Sequence, residues 1–392
     1  MGEETLFASV RLEEVPRLLD LYYRFRAELG YEPVTPHLIG APGIGKSQIV
    51  REWAEEKAEA LKLEFRDYDE LTPEDVDRIL REPDKYFIFA DKRLTGLDPV
   101  DLSGIPRPIN NHSYVRFLPL DLAKLLSKCA GILFLDEFLN ENRPNMVAQA
   151  YKLCRDYKIG DIALSRKAVV VAASNTAQTS SLTHNIPKPL KDRFVFIAVE
   201  PPSLEAWAEW MDKTYGADGW DRSILAYLMW KTSDFLANVS DSDAEDTLEP
   251  PATPRGWTHV ALAFKQLKVD GDLKATVATG KLGRVGSMLM AFLKNRVPSF
   301  EELTRHPEVF RGFNVEQRYL AAVTIAEAVN RESKKIPQVK RFLEFVAGED
   351  DREFISVLFA LLRKERRQEV YQAFKNNTTI LKALEETGKA LL

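Results

Sequence analysis

The sequence predicts an α/β protein: a wound, parallel five-stranded sheet domain, then a region that is helical throughout. Five short apolar runs alternate with helical patterns in the first half of the chain, as strands buried on both faces do. A glycine-rich segment, Gly40-Ala41-Pro42-Gly43-Ile44-Gly45-Lys46-Ser47, joins the first run directly to a helical pattern. Beyond Pro201-Pro202 the apolar period is that of helices alone.

The elements follow in order. Val15, Leu18, Leu19, Tyr22, Phe25 and Leu29 recur at the spacing of an amphipathic helix over Glu13 to Leu29, which Gly30 ends. Strands are expected over Val34 to Ile39, Tyr86 to Ala90, Ile132 to Leu135, Val169 to Ala173 and Phe194 to Val199, with a helix over Ser47 to Leu61. Thr72-Pro73-Glu74-Asp75 reads as an N-cap, a proline in the first helical position and carboxylates in the first turn of an extra helix. After residue 201, Ser203 caps a helix carrying Trp207 and Trp210, and Leu225, Leu228 and Trp230 continue the helical pattern. The acidic stretch from Asp241 to Pro254 is expected to be a mobile loop. The domain expectation is an N-terminal helix over 1–33, a sheet core over 34–201, a helical lid over 202–297 and a helical extension over 298–392.

Composition bounds the function classes. The 392 residues include 54 Lys and Arg against 59 Asp and Glu, a net charge of −5, with 45% hydrophobic and 29% charged residues, which is the balance of a folded globular chain. That acidity argues against bulk electrostatic attraction to nucleic acid but leaves room for a local basic channel. No run of about 18 apolar residues occurs, and Glu3 and Glu4 stand where a leader peptide would be basic, so a cytoplasmic location is expected without a membrane partner. Two cysteines exclude a disulfide scaffold; Cys129 and Cys154 lack C-x-x-C spacing and read as buried thiols. His37, His112, His184, His259 and His306 never pair at three or four residues' separation, so no transition-metal site is expected.

The chemistry is concentrated in five places. Gly40 to Ser47 satisfies G-x-x-x-x-G-K-[ST]. Its glycines let backbone N–H groups point at phosphate oxygens, Lys46 reaches the β and γ phosphates, and the Ser47 hydroxyl ligates Mg²⁺. Gly131 to Glu137 is an apolar strand ending in two carboxylates: Asp136 suits the Mg²⁺ shell, and Glu137 suits polarisation of an attacking water. Asn175, at the end of the next run, supplies an amide able to position that water against the γ-phosphate. Arg193 immediately precedes the last strand, and Arg255 falls in the first turn of a helix capped by Thr253. Five such features in this order give the motif its specificity.

On these residues the chain resembles the AAA+ ATPases, and most closely the MoxR branch with its dynein-related relatives, from about Val34 to Val297. Leu97-Asp98-Pro99-Val100-Asp101-Leu102-Ser103-Gly104-Ile105-Pro106 resembles the insert that follows the second strand in that branch. Tyr157 to Leu164 resembles its hairpin before sensor 1, and Pro298-Ser299-Phe300-Glu301-Glu302-Leu303 resembles the tail of a subgroup associated with von Willebrand factor A-like partners. The resemblance implies ATP and Mg²⁺ as cofactors. Gly40, Pro42, Gly43, Ile44, Gly45, Lys46, Ser47 and Gln48 would contact the nucleotide, together with Asp136, and Ser47 and Asp136 would hold the metal. Glu137 would be the catalytic base, Asn175 sensor 1, Arg193 the finger inserted into a neighbouring subunit, and Arg255 sensor 2; Lys191 competes with Arg193 for the finger role. It further implies a homo-oligomeric ring, a hexamer, that remodels a protein partner through the inserts at Leu94 to Pro108 and Tyr157 to Leu164. The alternative is a nucleic-acid motor or restriction-type NTPase on the same fold; an inactive ATP-gated scaffold is disfavoured because each hydrolytic residue is present. Trp207, Trp210, Trp220 and Trp230 read as lid core or a subunit contact rather than a stacking platform for bases, and Arg363-Lys364-Glu365-Arg366-Arg367 as a solvated helix face. One departure stands out: Phe138-Leu139-Asn140-Glu141-Asn142-Arg143-Pro144 follows the two acids where the family has an Asn nearer to them, so Asn140 and Arg143 have no assigned role.

Overall fold

The computed structural model describes residues 9–31, 34–109, 114–141, 143–175, 192–216, 218–237, 249–267, 271–348 and 352–387. They form two compact units, Met1–Pro201 and Pro202–Leu392.

The first unit is built on a seven-stranded sheet. Its strands are β1 (Ser9–Arg11), β2 (Thr35–Gly40), β3 (Glu64–Asp67), β4 (Tyr86–Arg93), β7 (Ala130–Asp136), β10 (Ala168–Asn175) and β11 (Phe194–Glu200), in the order β1-β11-β2-β10-β7-β4-β3. All pairs are parallel. The five expected strands are the five central ones. They are legible because helices cover both faces: Ile132 and Phe134 of β7 enter one core while Leu133 and Leu135 enter the other. The first core takes α1 (Val15–Ala27) and α2 (Lys46–Ala60), where Tyr23 and Trp53 pack on Phe87. The second takes α3 (Pro73–Arg81), α5 (Asp121–Lys128) and α6 (Pro144–Asp156). Thr72 caps α3 as expected, accepting from Asp75 N at 3.2 Å while Asp75 accepts from Thr72 N. The N-terminal helix is part of this unit's core, because Val15, Leu19 and Tyr23 are buried in it.

Between β4 and β7 the chain makes a 3₁₀ turn (Leu94–Gly96), the short helix α4 (Pro99–Ser103) and an antiparallel hairpin of β5 (Ile105–Ile109) with β6 (Tyr114–Leu118). The insert expected over Leu94 to Pro108 therefore continues to Leu118. Pro106 and Pro108 hid its first strand, since proline reads as a strand breaker although it is tolerated on an edge. The second expected insert is a small hairpin, β8 (Lys158–Ile159) against β9 (Ile162–Ala163). Its turn residue Gly160 has φ +59° and donates to Leu102 O at 2.7 Å; a Cβ there would stand 2.5 Å from Ser103 O. Only glycine permits this seam between the hairpin and α4.

The second unit is helical. Its helices run from Leu204–Tyr215 to Thr378–Thr387 around one continuous core that includes Trp207, Trp220, Trp257, Phe292, Phe310, Phe342 and Leu358. The structure thus draws no boundary at 297/298: residues expected in a lid and in a separate extension pack into the same core. Part of the acidic stretch, Asp241 to 248, lies outside the described residues, while Glu249 accepts from Arg284 N at 2.8 Å. Cys129 and Cys154 are buried free thiols, and burial pushes both above the ordinary thiol range, Cys129 to about 11. Among the described residues no helix is long and apolar enough to cross a membrane.

Candidate functional site

The strand order decides where the chemistry gathers. β10 lies between β2 and β7, with Asn175 in register with Gly40 and Ala172 in register with Leu135. The glycine-rich loop, Asn175 and the Asp136-Glu137 pair therefore leave the carboxyl ends of three adjacent strands, where an open parallel sheet presents its ligand crevice. The loop turns into α2 because Gly43 and Gly45 adopt φ of +74° and +109°, in a region that residues with a Cβ rarely adopt. Gly45 is also the N-cap of α2, so the N-terminal, positive end of the helix dipole follows directly on the loop.

The side chains close on one another. Lys46, 6% exposed, donates from Nζ to Gly40 O at 2.8 Å, Ala41 O at 3.0 Å and Asn175 Oδ1 at 3.1 Å, which links the loop to the tip of β10. Ser47 Oγ donates to Asp136 Oδ2 at 3.1 Å, bridging the start of α2 and the tip of β7. A hydroxyl beside a carboxylate is the hard-oxygen donor set that Mg²⁺ prefers, and an ammonium held by loop carbonyls has a matching acceptor in a phosphate. Asp136 Oδ1 accepts from Glu137 N at 2.9 Å, and Glu137 sits at φ +54°, an uncommon conformation for glutamate that turns the chain sharply after the strand. One residue before Asn175, the buried Ser174 hydroxyl accepts from Leu139 N at 3.1 Å and meets His37 Nε2 at 2.8 Å. The same strand tip thus holds both the loop lysine and the turn beyond Glu137.

Three features escaped sequence reasoning. Thr95, in the 3₁₀ turn after β4, donates from Oγ1 to Glu137 Oε2 at 3.2 Å. Arg143 spans from Glu141 to the carbonyls of Leu94 and Leu97. Asp91 on β4 is pushed up to about 6, first by burial and then by the nearby Asp136 charge. The first two are contacts between distant segments, without local signature.

The arginines are placed differently. Arg193 leads into β11, with Phe194 in register with Thr35 at the opposite end of β2 from Gly40. At roughly 3.3 Å per residue this is about 17 Å from the loop, farther than an arginine side chain spans. Arg255 is the second residue of the helix Pro254–Gln266, exposed, with Thr253 Oγ1 accepting from Gly256 N at 3.1 Å as the sequence predicts. Arg255 belongs to the helical unit. Lys191 lies outside the described residues.

The fold is an α/β P-loop domain with a helical C-terminal unit. No protein-family model matches the chain, and no curated protein matches it. Among solved structures it is similar to RuvB of Thermotoga maritima in its P216G variant, at 15% identity over 86% of this chain and 89% of that one, with a TM-score of 0.37. It is also similar to the ORC2 protein of Aeropyrum pernix, solved as ADPNP-ADP complexes, at 12% identity over 96% and 97% of the two chains, with a TM-score of 0.35. Function is carried by the site rather than by these likenesses.

Proposed function

We propose that this chain is a Mg²⁺-dependent ATPase of the AAA+ class, of the MoxR-like branch, that works as a homo-oligomeric ring in the cytoplasm and remodels or activates a partner protein. The observation that carries the reading is the meeting of Lys46 with Asn175 and of Ser47 with Asp136 at the tips of three adjacent strands. Residues Gly40 to Gln48 bind the triphosphate: backbone N–H groups and the α2 N-terminus face its oxygens, and Lys46 exchanges loop carbonyls for phosphate. Ser47 and Asp136 would hold Mg²⁺, which would supply positive charge against the phosphates. Glu137 takes a proton from the attacking water, and Asn175 orients that water. Arg193, at the far end of the sheet from its own loop, serves a neighbouring subunit, and Arg255 reports the nucleotide state to the helical unit.

Two observations favour a protein over a nucleic acid as partner. Val100, Ile105, Val115, Phe117 and Leu118 of the insert are each more than 40% exposed, an apolar surface suited to a polypeptide. In addition, the basic run at 363–367, expected to be solvated, is largely engaged within the chain. Arg363 pairs with Asp218 at 2.6 Å, Arg366 with Glu369 at 2.6 Å, and Arg367 caps the carbonyls of Ala360 and Leu362 at 3.0 Å. The partner class that fits the tail after residue 298 is a von Willebrand factor A-like protein. ATP turnover measured with single-stranded DNA, duplex DNA and RNA, at low and moderate salt, should be nearly indifferent to all three, and the Glu137→Gln form should retain a protein partner in the presence of ATP. Strong stimulation by nucleic acid that fades as salt rises would instead make the chain a nucleic-acid motor.

A further inference from the structure

Arg143 stands six residues after Glu137 and just ahead of α6, and its guanidinium joins two segments far apart in the chain. Its Nε and Nη2 form a fork on the Glu141 carboxylate, at 2.9 Å to Oε1 and 2.6 Å to Oε2, and its backbone N donates to the same Oε1 at 2.7 Å. Nη2 also donates to Leu97 O at 2.7 Å and Leu94 O at 3.2 Å, and Asp98 Oδ1 lies 3.7 Å from Nη1. The Glu141 side chain is 2% exposed, so this carboxylate is buried against its own cation.

The two carbonyls bracket Thr95, the residue whose hydroxyl holds Glu137 Oε2. The contacts close a ring: Glu137 runs through the segment to Glu141 and Arg143, across to Leu94 and Leu97, and back through Thr95 to the Glu137 carboxylate. Immediately after Leu97 the insert continues into α4, whose capping box is formed by Asp98 and Asp101. The root of the partner-facing insert and the position of the proposed base are therefore set by one side chain.

Resting on the ATPase reading above, we propose that Arg143 is a positioning residue. It anchors the 3₁₀ turn Leu94–Gly96 so that Thr95 aims Glu137, and it passes movement of the insert to that base. A planar guanidinium is required, because a lysine can neutralise Glu141 but cannot make the fork and reach the turn carbonyls together.

The test uses Arg143→Lys, which keeps a cation beside Glu141, with Thr95→Val and the double variant. Each single variant should lower kcat for ATP about tenfold, as expected for a misaimed base, with KM within about twofold of wild type. The double variant should fall no further, because Arg143 acts through Thr95. Amide exchange over residues 94–104 should quicken about tenfold in Arg143→Lys, with β7 unchanged, whether or not nucleotide is added. Additive losses in the double variant, a rise in kcat, or unchanged exchange over 94–104 would overturn the proposal. A wild-type protein without turnover would refute the ATPase reading, and exchange would then decide the anchor by itself.

Discussion

His37 makes the sheet unit sensitive to acid, by an amount that follows from its surroundings. It lies on β2 with no exposed surface, ringed by Phe138, Phe194 and Phe196, and among the described residues it meets Ser174 through Nε2 while its Nδ1 has no hydrogen-bond partner. Burial drives its pKa down to about 3, against an ordinary 6.5. Between those values the unfolded chain binds a proton that the folded chain does not, so stability is full above pH 6.5 and is lost as pH falls toward 3. From pH 7 to 4.5 the loss is roughly 2 to 3 kcal/mol, set almost wholly by the unfolded value and so insensitive to where near 3 the folded group titrates. This is a large share of a typical folding free energy. Urea unfolding of wild type and His37→Gln at pH 7 and pH 4.5 checks it. The variant should be weaker at pH 7 for want of packing, yet its stability should fall by roughly 2 to 3 kcal/mol less on acidification. Equal falls in both proteins would refute the assignment of this sensitivity to His37.

Asp91 carries the opposite dependence: its folded pKa lies above the ordinary 3.8, so stability present at low pH is lost as pH rises through about 6. Asp91→Asn should stabilise the protein by about 1 kcal/mol at pH 7, after allowing for solvent screening, and by almost nothing near pH 4, as thermal melts at the two pH values would show. Arg193→Ala should cut ATP turnover by roughly 10³ or more while nucleotide affinity stays within a few-fold. Mixing it with Glu137→Gln subunits should restore part of the activity, since some interfaces then join an intact finger to an intact base; a fully active monomeric Arg193→Ala protein would contradict a role between subunits.

The central strands were legible because burial on both faces leaves unbroken apolar runs. β1 (Ser9–Arg11) and β3 (Glu64–Asp67) were not, because each is short, lies at a sheet edge and carries charge; Glu-Phe-Arg-Asp has no strand signature until β4 is beside it. The loop, the paired acids and Asn175 announce themselves through spacing and through the strands they end. Thr95 and Arg143 do not: each acts on a segment more than 40 residues away, so only the folded sheet brings their partners within reach. The single core of the helical unit was hidden for a related reason, since helical periodicity marks an apolar face but does not identify which helix covers it.

In the proposed reaction the site binds Mg²⁺-ATP through Lys46 and cleaves it through Glu137. Nucleotide binding and turnover measured side by side on wild type, Lys46→Ala and Glu137→Gln test it most directly. The expected results are Mg²⁺-dependent turnover in the wild type, loss of binding in Lys46→Ala, and in Glu137→Gln retained binding with ATP held unhydrolysed. Equal loss of binding in both variants, or turnover that survives in Glu137→Gln, would contradict it.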